Sequence, residues 1–330
     1  MLAQLFGKKT KQQGRVGVAV TPGKLSVVHL EKRNNAPYLL DCRIESFEGK
    51  KDFETKLTQL VDKMGIAGQQ CSYVLGPDEY SLHLIEAPKV EPEELRAAVR
   101  WSVKDLLDMK IDDAAIDVFP VPNDAYRGRN MVYVVAAAKT RIRQLAEQVM
   151  NSNLELAIID IPELAMHNMT GCFIDDSNGA AFMDLRLTGS TMNISHKGAL
   201  YLSRRINTQL APDVMKSLEW ESLKDKLVLE IQRSLDYYES QMSKGQITRI
   251  VIAPRQQDTN EMCAALNDAL AAKVTALNLS EQLQGKVTLT PEQQQLSAYA
   301  IGATLRGMQK QEAKQPDPAE PEQPPAEEAA

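Results

Sequence analysis

The sequence lacks any apolar run long enough to cross a bilayer. The longest run, Met131–Ala138, is far shorter than the roughly 20 residues that a spanning helix needs. The first residues also lack the charged start, apolar stretch and small-residue cleavage site that together mark a secretory signal. We therefore expect the protein to stay in the cytoplasm.

Cysteine is scarce, and its spacing excludes the two chemistries that it usually signals. The 4 cysteines lie far apart and form no C-x-x-C pair, so the sequence predicts neither a zinc site nor a disulfide framework. The 4 histidines are scattered over separate segments, so we predict no metal site. These residues are Cys42, Cys71, Cys172 and Cys263, and His29, His83, His167 and His196.

The chain has no excess of positive charge. Its net charge is -6, and most of that falls in the last 20 residues, where six acidic residues face one lysine. The rest is nearly neutral and has no basic stripe, which argues against a nucleic-acid partner. We predict that the Pro- and Glu-rich tail, residues 310–330, is disordered.

The first 14 residues form a basic amphipathic segment. Leu2, Leu5 and Phe6 precede Lys8 and Lys9 with no acidic residue among them. Two interpretations stay open, which are contact with an anionic membrane surface and an ordinary frayed terminus.

The order of strand and helix patterns occurs twice along the 330 residues. Three strand-like runs, a helix and a fourth strand open the chain, and the same order returns from Gly179. We place a first lobe at residues 15–178 and a second lobe at 179–309, with an inserted subdomain at about 81–138. The predicted opening strands are Arg15–Val20, Leu25–Leu30 and Tyr38–Ile44, and then Ala180–Leu185, Thr191–Ser195 and Ala199–Arg205.

Local signals place the remaining boundaries. Turn formers cluster at Thr170–Asn178, where we place the junction between the lobes. Ser222–Asp225 has the spacing of a capping box and predicts the start of a long helix. A last helix is predicted at Pro291–Arg306.

This repeated unit describes a duplicated ribonuclease-H-like α/β core, the fold of actin and sugar kinases, with a cleft between its two lobes. In that fold, two facing hairpin turns hold nucleotide phosphates by main-chain N–H groups and a metal-organising aspartate. Here the two turns are Ala19–Leu25 and Asp184–Thr191.

Five pairs of segments carry a more specific resemblance. They are Val16–Val20 with Leu30-Glu31, Glu93–Trp101 with Ile116–Pro120, Val135–Lys139 with Leu156–Asp160, Met183–Leu185 with Ser203–Ile206, and Leu229–Leu235 with Tyr299–Arg306. Together they resemble the PilM family of actin-like type IV pilus assembly proteins over roughly residues 15–306.

The chain departs from this family at the positions that handle nucleotide. The expected Asp-x-Gly of the first turn is Ala19-Val20-Thr21, and the adenosine-side Gly-Gly is Ala253-Pro254. Asp184 is retained, but Arg186 replaces the glycine that should follow it. The resemblance thus implies a degenerate nucleotide cleft, with no residue assigned to catalysis. Its candidate cofactor-binding residues are Thr21, Gly23, Asp184, Arg186, Ser190, Ala253 and Gly302.

The cofactor is left open, because ATP with Mg²⁺ could bind weakly or not at all. Arg186 could stand in as a charge partner for phosphate. Asp184 is better explained as a residue that ends a strand and caps a turn, and Pro22-Gly23-Lys24 as an ordinary hairpin turn.

The resemblance implies a cytoplasmic scaffold of a type IV pilus platform, of the MSHA type, peripheral to a bacterial inner membrane. Its implied partners are a PilN-like single-pass inner-membrane protein and other platform proteins. The partner's cytoplasmic N-terminal segment would dock between the first lobe and the inserted subdomain. Two alternatives are an actin-like ATPase that uses Asp184 and Mg²⁺, and a cytoplasmic component of a type II secretion platform.

Overall fold

The computed structural model describes residues 14–211 and 213–308. Apart from Gly14, the predicted basic segment lies outside the described residues, as does the predicted tail from 310 onward. No helix in the described ranges combines the length and the apolar character that a membrane crossing needs.

The first lobe begins with three antiparallel strands and ends with a helix that leads to the second lobe. Mostly apolar residues occupy the buried positions of these strands, which number five of eight residues in the first strand, six of ten in the second and three of eleven in the third. Its elements are β1 Gly14–Thr21, β2 Lys24–Arg33, β3 Ala36–Ser46, α1 Gly49–Met64, β4 Gln70–Val74, β5 Tyr80–Glu86, α2 Leu95–Val103, β6 Ala114–Pro120, β7 Met131–Ala138, α3 Lys139–Asn151, β8 Glu155–Asp160 and α4 Pro162–Phe173.

The second lobe repeats this opening and then returns to the first lobe. Its elements are β9 Ala180–Asp184, β10 Ser190–His196, β11 Ala199–Ile206, α5 Trp220–Met242, β12 Arg249–Ile252, α6 Thr259–Asn267, β13 Lys273–Ala276, α7 Leu279–Gln282, β14 Gln284–Gly285 and α8 Pro291–Thr304. The short strand β14 pairs with β3, and α8 packs against β1 and β2, so the end of the described chain lies on the first-lobe sheet.

The two large sheets share one strand order. The first runs β3-β2-β1-β4-β8, with β14 added beside β3, and the second runs β11-β10-β9-β12-β13. In each sheet the first three strands are antiparallel and the last two join in parallel. The predicted repetition of the unit is therefore confirmed.

The turn between β1 and β2 follows the predicted chemistry. Gly23 has φ +70, which a type II turn requires after Pro22. A Cβ at Gly23 would meet no atom within 4 Å, so only its backbone conformation demands glycine.

Helices α4 and α8 form the core between the two large sheets. They bury Met166 and Ile301 in one cluster with Val28 of the first sheet and Phe182 of the second. Two glycines permit the close packing of α8. A Cβ on Gly17 would lie 2.0 Å from the Ala300 carbonyl oxygen, and one on Gly302 would lie 2.3 Å from that of Ala165.

Two local predictions are wrong. Residues Thr170–Phe173, which the turn formers assigned to the junction, are the last turn of α4, and burial of Met169 and Thr170 between the sheets outweighs the local signal. The long helix begins at Trp220 without a side-chain cap, so Ser222–Asp225 is an internal turn of the helix and not a capping box.

The inserted subdomain is a three-stranded sheet, β5-β7-β6, covered by α2. The loop after β6 leaves this sheet and joins the second lobe. In that loop Asp124 accepts a hydrogen bond from Tyr201 at 2.8 Å and pairs with Lys244, while the hydroxyls of Tyr126 and Tyr237 lie 3.1 Å apart. The insertion therefore contacts both lobes.

We predict that Gly17→Ala lowers the free energy of unfolding by about 3 kcal/mol, because a methyl group would collide with the backbone of α8. Urea denaturation measures this change. Gly245→Ala is the control, since a Cβ there meets nothing within 4 Å. Equal stability of the two variants would contradict the close packing of β1 on α8.

Candidate functional site

Helix α8 packs between the two lobes and bonds to both. From the first-lobe side, Ser26 donates a hydrogen bond to the Leu296 carbonyl oxygen at 2.6 Å. From the second-lobe side, Arg186 donates one to the Gln295 carbonyl oxygen at 3.1 Å. Consecutive residues of α8 thus bond to elements of both lobes.

An internal ion pair fills the second of the two turns. Asp184, at the end of β9, is 3% exposed and accepts a hydrogen bond from Nε of Arg186 at 2.5 Å. The same carboxylate oxygen accepts the Tyr299 hydroxyl of α8. The Arg186 guanidinium lies 4.2 Å from the centre of the Tyr299 ring. The carboxylate that the sequence resemblance suggested as a metal organiser is thus occupied by two side chains of the same protein.

The electrostatics of this cluster favour its closed arrangement. Burial acts to lower the pKa of Arg186, but the adjacent Asp184 carboxylate and the Tyr299 hydroxyl outweigh it and raise that pKa. Burial also raises the pKa of Tyr299 well above its usual value. Arg186 therefore stays charged and Tyr299 stays neutral and able to donate a proton to the hydrogen bond with Asp184.

The other candidate residues have separate structural roles. The Ser190 hydroxyl donates to the Thr208 carbonyl oxygen at 2.8 Å. The Ala253 N–H donates to the Met183 carbonyl oxygen at 2.7 Å. Gly302 lies inside α8 against α4, where its carbonyl oxygen accepts a hydrogen bond from Asn168 at 3.0 Å.

Of the seven candidates, only Asp184 and Arg186 bond to each other among the described contacts. Thr21 and Gly23 lie in the other turn, where the buried Thr21 hydroxyl has no hydrogen-bond partner among the described residues.

Sequence reasoning missed Arg255, which lies three residues after the end of β12. Its side chain is 5% exposed and donates to the Leu185 carbonyl oxygen at 2.6 Å and to the Ala211 carbonyl oxygen at 3.2 Å. Arg255 thus stabilises the second turn through its bond to the Leu185 carbonyl oxygen. Arg255 directly follows Ala253-Pro254, which the sequence analysis singled out. No sequence signal indicates which carbonyl groups an arginine side chain will reach.

These residues do not fit a bound Mg²⁺-nucleotide. The Asp184 carboxylate is paired, and the Ser190 hydroxyl is bonded to the backbone. Arg186 adds a long side chain where the family has a glycine, although a main chain must come close to phosphate there. Within residues 14–211 and 213–308, no three His, Cys, Asp or Glu side chains are arranged to hold a metal ion.

A second site is the groove between the first lobe and the inserted subdomain. Strand β8 forms one wall and strand β6 the other, around a cavity of about 520 Å³. Its lining is mainly apolar and contains Ile116, Phe119, Val135, Ile142, Ile159 and Leu164.

One polar pair lies among these apolar residues of the groove. The buried Asp160 carboxylate accepts the Ile161 N–H at 3.0 Å and lies 3.4 Å from Nη2 of Arg306. Burial raises the pKa of Asp160, against the opposing effect of the Arg306 charge.

A third cavity, of about 750 Å³, lies where the insertion meets the second lobe. In its wall, the buried Glu163 carboxylate accepts the Tyr80 hydroxyl at 2.5 Å. Arg205 of β11 donates to the Pro77 carbonyl oxygen at 2.5 Å and so links the two lobes across this cavity. These contacts link the two lobes.

Comparison with known proteins identifies the fold. No protein-family model matches the chain, and no curated protein matches it in sequence. Among solved structures, a PilM-PilN type IV pilus biogenesis complex matches with a TM-score of 0.69 at 15% identity, over 89% of this chain and 98% of that chain. A Bacteroides thetaiotaomicron protein with an actin-like ATPase fold and unknown function matches with a TM-score of 0.50 at 9% identity, over 82% and 92% of the two chains.

A third similar structure is the cytoplasmic domain of EpsL, an inner-membrane component of the type II secretion system of Vibrio cholerae. Its TM-score is 0.46 at 9% identity, over 87% of this chain and 94% of that chain. The chain thus has the two-lobed actin-like α/β fold, and the predicted fold class is confirmed.

We predict that Asp184→Asn lowers the free energy of unfolding by about 3 kcal/mol, because it leaves the buried Arg186 charge without its partner. The double variant Asp184→Asn with Arg186→Leu should recover part of that loss, since it removes both charges. Urea denaturation of the two single variants and the double variant gives the coupling. Strictly additive losses would contradict a buried ion pair.

Proposed function

We propose that the protein is a cytoplasmic scaffold of a type IV pilus assembly platform, of the MSHA type, peripheral to the inner membrane. It docks the cytoplasmic N-terminal segment of a PilN-like single-pass membrane protein and connects it to other platform proteins. Nucleic acid has no part in this function. The groove between β8 and β6 is the observation that carries the proposal.

The shape and chemistry of the groove support a peptide ligand. Its lining is largely apolar, and its walls are two sheet edges about as long as a short peptide strand. An extended peptide binds such a site through main-chain hydrogen bonds and alternate apolar side chains. The similarity in fold to the PilM-PilN complex supports the same proposal, because that similarity extends over 98% of the chain it matches.

The state of the interlobe cleft supports a scaffold over an ATPase. A catalytic role for Asp184 with Mg²⁺ would require its carboxylate to leave both Arg186 and Tyr299. We expect no phosphate release from ATP beyond background with the purified chain. Robust release that Asp184→Asn abolishes would establish the ATPase instead.

We predict that Ala157→Arg abolishes partner capture. Ala157 is exposed in the β8 wall, so an arginine there fills the groove without disturbing a core. The assay is a pull-down from the host's solubilised membranes, followed by a binding measurement with a synthetic peptide of the captured protein's cytoplasmic N-terminus. Affinity should fall about tenfold or more.

Ala264→Arg is the matched control, since Ala264 is exposed on α6 of the second lobe. Equal capture by both variants would contradict docking in the groove. The identity of the captured protein separates the rival assignments, because a type II secretion component in place of a PilN-like protein would favour the secretion platform.

A further inference from the structure

Two sheet edges face each other across the groove, and they differ in how their main-chain groups are used. Strand β8 ends the six-stranded sheet, and β6 ends the three-stranded sheet. An unpaired edge presents N–H and C=O groups that can pair with another strand. Which edge is open decides how an extended ligand binds.

Two carbonyl groups on the outer edge of β6 are already bonded to arginine side chains. Nε of Arg96 donates to the Ile116 carbonyl oxygen at 3.0 Å, and Nη1 of Arg100 donates to that of Ala114 at 3.3 Å. Both arginines come from α2, which covers the insertion sheet. Two arginines thus occupy acceptors that an incoming strand would need.

Two N–H positions of the same edge are also unavailable to an incoming strand. The Val118 N–H donates to the Asp117 carboxylate at 3.0 Å, and Pro120 has no N–H. The Asp117 carboxylate in turn lies 3.7 Å from Nε of Arg96, so the side chains that cover this edge also contact each other. Side-chain caps and proline are common means of preventing strand addition at an edge.

The outer edge of β8 is open. The Leu75 N–H donates to the Asp160 carbonyl oxygen at 2.9 Å, so the main-chain groups of Asp160 point toward β4. Because these groups alternate in direction along a strand, those of Ile159 point away from β4, toward the open edge. Among the described residues, the Ile159 main chain has no hydrogen-bond partner on that side. The neighbouring Ala157 sits at a register shift and is exposed.

We propose that the partner's segment adds to the first-lobe sheet as a strand beside β8, while the β6 edge stays capped and contributes only apolar side chains. This inference rests on the proposed function and specifies the contact. It requires a segment with large apolar side chains at alternate positions, because alternate residues of a strand point to the same side.

The chain's own terminal segments are poorer occupants. Residues 309–330 contain no large apolar side chain that could fill the groove. In the first 13 residues, Leu2 and Phe6 would share one side of a strand, but Gln4 and Lys8 would lie on that side as well, so the large apolar side chains do not alternate. A partner with alternating apolar residues therefore fits the edge better than either segment.

The test compares proline with alanine at one position on each edge, in the full chain. Ile159→Pro removes the outward N–H of β8, and Ile159→Ala removes the same side chain but keeps that N–H. Val118→Pro and Val118→Ala are the matched pair on β6. The probe is the synthetic N-terminal peptide of the captured membrane protein, with affinity measured by calorimetry.

We predict that Ile159→Pro binds the peptide about tenfold more weakly than Ile159→Ala, because one hydrogen bond is lost and its acceptor is left unpaired. The two Val118 variants should differ by less than about twofold, because the Val118 N–H already bonds to Asp117. If Ile159→Pro does not fold, the same question is tested with peptides that are N-methylated at one residue each. Strand addition predicts that binding to the unaltered chain weakens only when the methyl group is on alternate residues of the peptide.

Each failure has its own signature. If the peptide does not bind the unaltered chain, or if Ala157→Arg leaves binding intact, the proposed function fails. If the peptide binds in the groove but the Ile159 variants bind equally and N-methylation shows no alternation, strand addition at β8 is overturned. Displacement of the peptide by a synthetic peptide of residues 1–13, or by dimerisation of the chain, would also overturn it by assigning another occupant.

Discussion

The approach of α8 to β1 and α4 is the constraint on which the arrangement of the two lobes depends. Gly17 and Gly302 leave room for main-chain atoms where any side chain would collide. Ser26 of the first lobe and Arg186 of the second lobe bond to consecutive residues of α8. The relation between the lobes is therefore built into the packing of α8.

The chemistry of the cleft follows from this packing. With Tyr299 of α8 beside the second turn, Asp184 and Arg186 satisfy each other in a buried environment. The chain thus has the actin-like fold, and the charged groups of Asp184 and Arg186 form contacts within the protein. The inserted subdomain is held in a similar way, since the loop that continues from β6 bonds to the second lobe through Asp124 and Tyr126. One wall of the groove is consequently braced by the second lobe.

Patterns with a short period were readable from the sequence, and contacts between distant segments were not. The alternation in β1 and the Pro22-Gly23 turn predicted the opening hairpin, and the repeated order of elements predicted the fold. Helix α4 was not predicted, because the turn formers in Thr170–Asn178 suggested a junction there. Burial between the two sheets decides where this helix ends. The resemblance placed Arg186 where a glycine was expected, but no sequence signal indicated that Arg186 pairs with Asp184.

The central claim is that the β8 side of the groove holds a membrane partner, and site-specific photo-crosslinking in the host cell tests it most directly. A photoreactive amino acid at Ala157 should give one main adduct, with the cytoplasmic N-terminal segment of a single-pass inner-membrane protein. The same residue at Ala264 should give no such adduct. Adducts at Ala157 only with soluble proteins, or the same membrane adduct from both positions, would contradict the account.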